Sequence, residues 1–248
     1  MNKLCLLLAT ALTLASSACD ARKKGAAAAS SPVAGYVAVR PPNGDWSQSV
    51  VPSTGGGFIM GNPNAPAKLI EFGSMSCPHC AAFEKEGVPS LISKYVKTGK
   101  VSWEFRNFIR DSYDLSAALV ARCNGAKSFF GLTRGIYATQ PEWVAKLQAI
   151  PQPQMEAMMN LPPQQQFATI AKVAGFPQFA ALRGVPVAKA NTCLVNQNEV
   201  NKLVQMTSDA TSQYNIPGTP GFVLNGALLA DTATWETLEP KLKAASGG

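Results

Sequence analysis

Two short strand-forming runs, residues 68–72 (KLIEF) and 101–105 (VSWEF), flank a stretch that carries the signals of a single helix. No other feature constrains the fold as tightly. Strands joined through a helix pair in parallel with a right-handed crossover, because only that hand packs the helix back onto a twisted sheet. The turn Gly73-Ser74-Met75-Ser76 leads into the helix, with Ser76 as its expected cap. The helix is predicted over residues 77–95, bent at Gly87 and Pro89 and stopped at Gly99.

From residue 113 to about 214 the pattern is almost wholly helical. One segment, 115–123, ends at Gly125, and Pro141 opens a second over 142–150. A third, 164–174, ends at Gly175; Cys193 lies in the next, and 200–214 follows. The chain then returns to strands. Ile216-Pro217-Gly218-Thr219-Pro220 is a loop, Gly221–Leu224 a strand, and Asn225-Gly226 a hairpin turn into residues 227–229. Trp235–Ala245 reads as a closing helix. Strands at both ends with helices between them define an α/β fold with a helical insertion. The expected boundaries are 58–110 and 215–248 for the α/β part and 111–214 for the insertion. Trp103, Phe129, Phe130, Trp143, Phe167 and Trp235 are expected core residues.

The N-terminus reads as an export signal over residues 1–18. Lys3 is followed by an apolar run at 4–14, too short for a membrane span, and then by Ser16, Ser17, Ala18 and Cys19. The segment around Cys19 resembles a bacterial lipoprotein processing site, with Ser16 where Leu is usual; ordinary cleavage after Ala18 is the alternative. Removal of the signal takes Cys5 and leaves Cys19, Cys77, Cys80, Cys123 and Cys193, an odd set for an oxidising compartment. Lipidation of Cys19 would remove the leftover thiol and attach the protein to a membrane, where Arg22-Lys23-Lys24 could reinforce contact. Residues 19–57, rich in Ala, Ser, Pro and Gly, are expected to form a disordered tether. The formal charge of +7 is mild, and basic residues elsewhere are interleaved with acidic ones, so no nucleic-acid partner is expected.

The chemistry is concentrated at Cys77-Pro78-His79-Cys80. A Cys at the start of a helix faces unsatisfied amide donors, and the helix dipole favours its anion. Cys77 is therefore the expected nucleophile, and Cys80, one turn on, the thiol that resolves its mixed disulfides. Pro78 fits an early helical position because its missing donor costs nothing there. His79 can donate a hydrogen bond or positive charge toward the thiolate, which makes the disulfide more oxidising. Haem attachment requires His directly after the second Cys, where Ala81 stands. Zinc would have to use Cys77, Cys80, Cys123 and Cys193, but structural zinc takes its ligands from two close pairs, so no metal is expected. No cofactor is expected beyond the redox-active Cys77–Cys80 disulfide itself. His79 is the single histidine, which leaves no Cys–His hydrolase arrangement elsewhere.

Residues 71–80 (EFGSMSCPHC) resemble the active-site segment of the DsbA family of periplasmic disulfide oxidoreductases, and Gly218-Thr219-Pro220 is similar to that family's cis-proline loop. The resemblance spans roughly residues 59–246. It implies a thioredoxin-like fold with a helical insertion and a cis bond before Pro220, with Gly218, Thr219 and Pro220 presenting backbone to an incoming peptide. A trans turn is the alternative. Glu71 is implied as a buried acid beneath the active site, the alternative being a surface strand residue. Cys123 and Cys193 are implied as a second disulfide, the alternative being two buried thiols. The implied function is a monomeric periplasmic oxidase acting on reduced unfolded clients and recharged by a membrane quinone-linked reoxidase. Thr219 departs from the Val of strongly oxidising members. An isomerase or reductase, or a lipid-anchored client-specific thiol carrier or chaperone, therefore stays open. Residues 19–58 are too short for the dimerisation domain of such isomerases.

Overall fold

The strand–helix–strand unit forms with the expected pairing. β3 (Ala67–Gly73) and β4 (Val101–Asn107) run parallel, with Leu69 opposite Trp103 and Glu71 opposite Phe105. They are the centre of a six-stranded sheet ordered β1-β2-β4-β3-β5-β6 in this computed structural model, which describes residues 31–35, 40–41 and 43–247. β1 (Val50–Pro52) and β2 (Phe58–Gly61) form an antiparallel hairpin on the β4 side. β5 (Gly221–Leu224) and β6 (Ala227–Leu228) form the other hairpin on β3, with the Asn225 amide bonded to the Lys68 carbonyl.

The predicted long helix is segmented where its sequence demands. α1 (Pro78–Glu86) ends at Gly87, α2 (Val88–Ser90) carries Pro89, and a π-helical turn over Leu91–Val96 runs to Gly99. Its start differs from expectation. Cys77 is the N-cap, and the Ser76 hydroxyl donates instead to Asp111 Oδ2 at 2.9 Å.

The insertion contains α3 (Ser112–Arg122), α4 (Ala126–Ala138), α5 (Gln140–Gln148), α6 (Gln152–Met159), α7 (Pro163–Ala174), α8 (Phe176–Ala181), α9 (Val187–Leu194) and α10 (Gln197–Tyr214). α11 (Trp235–Ala245) closes the chain. The continuous core runs from the sheet into the insertion. Phe58 stacks on Phe129 with centroids 4.4 Å apart, and Trp103 lies 4.8 Å from Phe130. Of the six expected core aromatics five are buried; Trp235 is half-buried, edge-on to Tyr95.

One boundary needs correction. The disordered tether was to extend to residue 57, yet Trp46–Gln48 forms a 3-10 turn, β1 joins the sheet, and Pro32 bridges to Ser53. What reads as a Gly-rich linker is the hairpin turn. At Gly57 a Cβ would lie 2.4 Å from the Phe105 carbonyl oxygen, so only glycine lets the turn close on β4. The Ser53 hydroxyl bonds to buried Glu104, whose carboxylate also holds Arg106. The insertion is helical as expected, but α4 was not singled out because Gly131 and Gly135 interrupt its pattern. Gly135 is a packing position: a Cβ there would lie 2.6 Å from the Phe179 ring. α6 and α8 were likewise not anticipated, each being too short to show a clear period.

Cys123 and Cys193 are bonded, with Cα atoms 5.5 Å apart across 70 residues of chain. The bridge ties the end of α3 to α9. In the chain-entropy view, closing a loop of that length is worth about 4 kcal/mol.

Candidate active site

Cys77 has extended backbone (φ −82, ψ 121) and no side-chain capping bond, so its sulfur rather than a hydroxyl occupies the start of α1. Pro78 follows at the first helical position, where a missing amide proton leaves nothing unsatisfied. Pro78 and His79 are exposed, whereas Cys77 is 3% exposed and Cys80 fully buried. Both thiols are free. The sulfur of Cys77 lies 3.3 Å from the Thr219 carbonyl oxygen, its acceptor in the protonated form. The Thr219–Pro220 bond is cis. The loop of Gly218, Thr219 and Pro220 and the Cys77–Cys80 turn, distant in sequence, thus meet at the end of the sheet where β3 and β5 pair.

The two thiols are driven apart in acidity. The Cys80 thiol donates to the Cys77 sulfur, the Thr219 hydroxyl and the amides of Cys80 and His79 add to it, and together they outweigh burial. Cys77 is lowered to about 4. Cys80 is pushed well above an ordinary thiol, first by burial, then by donating to Cys77 and by the negative charges of Cys77 and Glu71. One sulfur is thus an anion at neutral pH, and its neighbour holds its proton.

Acidic groups lie beneath the pair. Glu71 on β3 is buried, raised well above the usual carboxylate range by that burial and by the charge of Glu84, while the Trp103 indole donates to it at 3.0 Å. Glu84, one turn after Cys80 on α1, is pushed up to about 7 by burial against the opposing pull of Arg134 at 3.0 Å. Asp114, also raised to about 7 by burial, accepts from the amides of Met75 (2.7 Å) and Arg110 (3.1 Å).

The structure therefore brings Cys77, Cys80, Pro78, His79, Glu71, Gly218, Thr219 and Pro220 into one neighbourhood. Cys123 and Cys193 lie in the insertion; bonded to each other, they are unavailable as metal ligands beside Cys77 and Cys80. Cys19 lies outside the described residues, as does the export signal. Sequence reasoning missed Glu84, Asp114, Tyr137 and Gln140. Glu84 alone carried a signal, its i+4 spacing from Cys80 placing both on one helix face.

The family model described as thioredoxin matches residues 53–244, and the chain belongs to that family. Its solved neighbours include proteins titled DsbA, which it resembles in fold. A crystal structure of protein-disulfide isomerase from Novosphingobium aromaticivorans matches with a TM-score of 0.73 and 35% identity, over 77% of this chain and 97% of that one. Wolbachia pipientis alpha-DsbA1 matches in fold with a TM-score of 0.61 at 21% identity, over 76% and 90% of the two chains. In sequence, the chain is 28% identical over 170 residues to a Rickettsia felis protein named for protein-disulfide oxidoreductase activity, covering 68% of this chain and 53% of that one. It is 22% identical over 208 residues to disulfide bond formation protein D of Bacillus subtilis, covering 81% and 83%. The chain spans about half the length of the Rickettsia relatives it matches.

Glu71→Gln is expected to stabilise the protein at neutral pH. A carboxyl whose folded-state value is raised contributes stability present below its unfolded value and lost as pH rises through the folded one. The amide keeps the Trp103 acceptor and carries no charge to desolvate. Urea unfolding at pH 5 and pH 8 should show a gain of about 1–3 kcal/mol at the higher pH, shrinking at the lower.

Proposed function

We propose that the protein is an exported thiol:disulfide oxidoreductase that introduces disulfides into reduced, unfolded client proteins through Cys77 and Cys80. The observation that carries this reading is the geometry of the pair: Cys77 at the N-cap of α1 against the cis Thr219–Pro220 loop, with Cys80 buried one turn behind it, an arrangement that lowers one thiol and raises the other. In the oxidised protein a client thiolate attacks the Cys77 sulfur. The Cys77–Cys80 bond breaks, and Cys80 leaves with the electron pair and takes a proton. A second client thiolate then attacks the client sulfur of the mixed disulfide, and Cys77 departs as a stable thiolate. The client gains a disulfide, and the protein is left as the dithiol. No bound cofactor enters this exchange. His79 lies exposed beside Cys77, and its backbone amide helps hold the Cys77 thiolate. Gly218, Thr219 and Pro220 offer backbone to an extended client segment.

Recharging the dithiol falls to a membrane quinone-linked reoxidase. The export signal at 1–18 supports a periplasmic location, and lipidation of Cys19 with the basic run Arg22-Lys23-Lys24 would hold a monomer at the membrane. Among the described residues no helix is long and apolar enough to cross a membrane. Among the described residues no group of His, Cys, Asp and Glu is placed to hold a metal ion.

Thr219 before Pro220 supports a second reading, an isomerase or reductase, as does the isomerase name of the Novosphingobium neighbour. A client-specific thiol carrier or chaperone would show exchange with a single partner. Equilibration with glutathione separates these readings. A reduction potential near about −120 mV supports the oxidase, and one near about −270 mV the reductant.

A further inference from the structure

Three helices of the insertion reach the backbone of the turn that presents Cys77. From α4, the buried Tyr137 hydroxyl donates to the Ser74 carbonyl at 3.1 Å. From α3, Asp114 accepts the Met75 amide. From α5, Gln140 Nε2 donates to the Met75 carbonyl at 2.8 Å and the Cys77 carbonyl at 3.0 Å. Gln140 is 6% exposed, so its amide is committed to these two acceptors without competition from bulk water.

The turn has little of its own to hold it. The Cys77 amide bonds to the Ser74 carbonyl at 3.1 Å, and the Cys77 carbonyl accepts from Ala81 at 3.2 Å as the first bond of α1. The Cys77 side chain makes no cap. The aim of its sulfur at the amides of His79 and Cys80 is therefore set by the orientation of the Cys77 peptide plane. Gln140 grips that plane from outside the helix, and it holds the plane at Met75 with its other proton.

We propose that Gln140 is a positioning residue for the Cys77 nucleophile, fixing the peptide plane that points the sulfur at the helix amides and so setting the oxidising strength of the pair. The insertion is then part of the redox machinery rather than a cover for it. The role rests on the exchange chemistry proposed above.

Gln140→Met keeps the size of the side chain and removes both donors. In the folded variant, checked by near-ultraviolet circular dichroism, the midpoint of Cys77 thiolate absorbance should rise by about one unit or more. The equilibrium with glutathione should move about tenfold per unit toward the disulfide form of the protein, since a less stable thiolate makes a weaker oxidant. Tyr137→Phe, which removes only the Ser74 contact, should shift both readings the same way, and it carries the test if Gln140→Met fails to fold. The pair Cys123→Ala and Cys193→Ala should lower thermal stability and leave the midpoint alone. A folded Gln140→Met with an unmoved midpoint overturns the proposal, as does an equal shift in the disulfide-free variant, which would mark general loosening. An unshifted Cys77 titration in the unsubstituted protein instead removes the exchange mechanism itself.

Discussion

Replacing Cys80 by serine is expected to turn the protein into a trap. Reduced protein would attack a disulfide-containing peptide through its Cys77 thiolate and form a mixed disulfide. In the unsubstituted protein Cys80, fully buried one turn away, would displace the captured peptide. A serine hydroxyl cannot attack sulfur, so the adduct should accumulate, survive gel filtration under denaturing conditions and be released by dithiothreitol. Cys77→Ser should form no adduct at all. Both variants should lose turnover in an insulin-reduction assay by on the order of 10³ or more, the scale on which a missing nucleophile acts. Mass spectrometry locates the adduct. Adduct mapping to position 80, or turnover persisting in Cys80→Ser, would reverse the assigned roles.

The second large effect is the dependence of stability on redox state and pH. Cys77 is lowered from 9.0 to about 4 in the folded protein, so folding favours its anion. A depressed folded-state value contributes stability that is complete above the unfolded value and lost as pH falls through the folded one. The disulfide form has no such titration. The reduced form should therefore gain on the oxidised form as pH rises from about 4 to 9, by up to about 1.4 kcal/mol per unit, which with solvent screening is roughly 2–4 kcal/mol at pH 7 relative to pH 4. Glu71, Glu84 and Asp114 titrate in both redox forms, so the comparison largely removes them. Guanidinium unfolding of the two forms across that range measures the difference directly. A gap that stays constant with pH would mean that no thiolate is stabilised by the fold.

These effects depend on residues of unequal visibility in the sequence. The Cys77–Cys80 spacing, the Gly218-Thr219-Pro220 loop and the helix stops at Gly99 and Gly175 are local signals, and each fell where its chemistry required. The β1–β2 hairpin was hidden because its strands are short and its turn, Gly55-Gly56-Gly57, has the composition of a linker; only pairing with β4 across the chain gives it a place. Gln140 was hidden for a related reason. A glutamine in a helix usually faces water, and nothing near it in sequence indicates that Met75 and Cys77 lie against it. Glu104 lies in the predicted strand 101–105 and Arg106 just beyond it, and neither was singled out, yet both are buried and paired, because β4 is covered on both faces.

The pairing of β1 with β2 and the bridge from Pro32 to Ser53 shorten any leash on the protein. With Val33 bonded to Pro52 and Ser31 to Thr54, only about a dozen residues separate the folded body from Cys19. Fully extended they reach ~40 Å, against ~130 Å for a free segment running to residue 57. If a lipid holds Cys19, the volume the body can sweep above the bilayer shrinks roughly thirtyfold. A protein so held would meet polypeptides as they emerge from the membrane and would share the same narrow space with whatever recharges it.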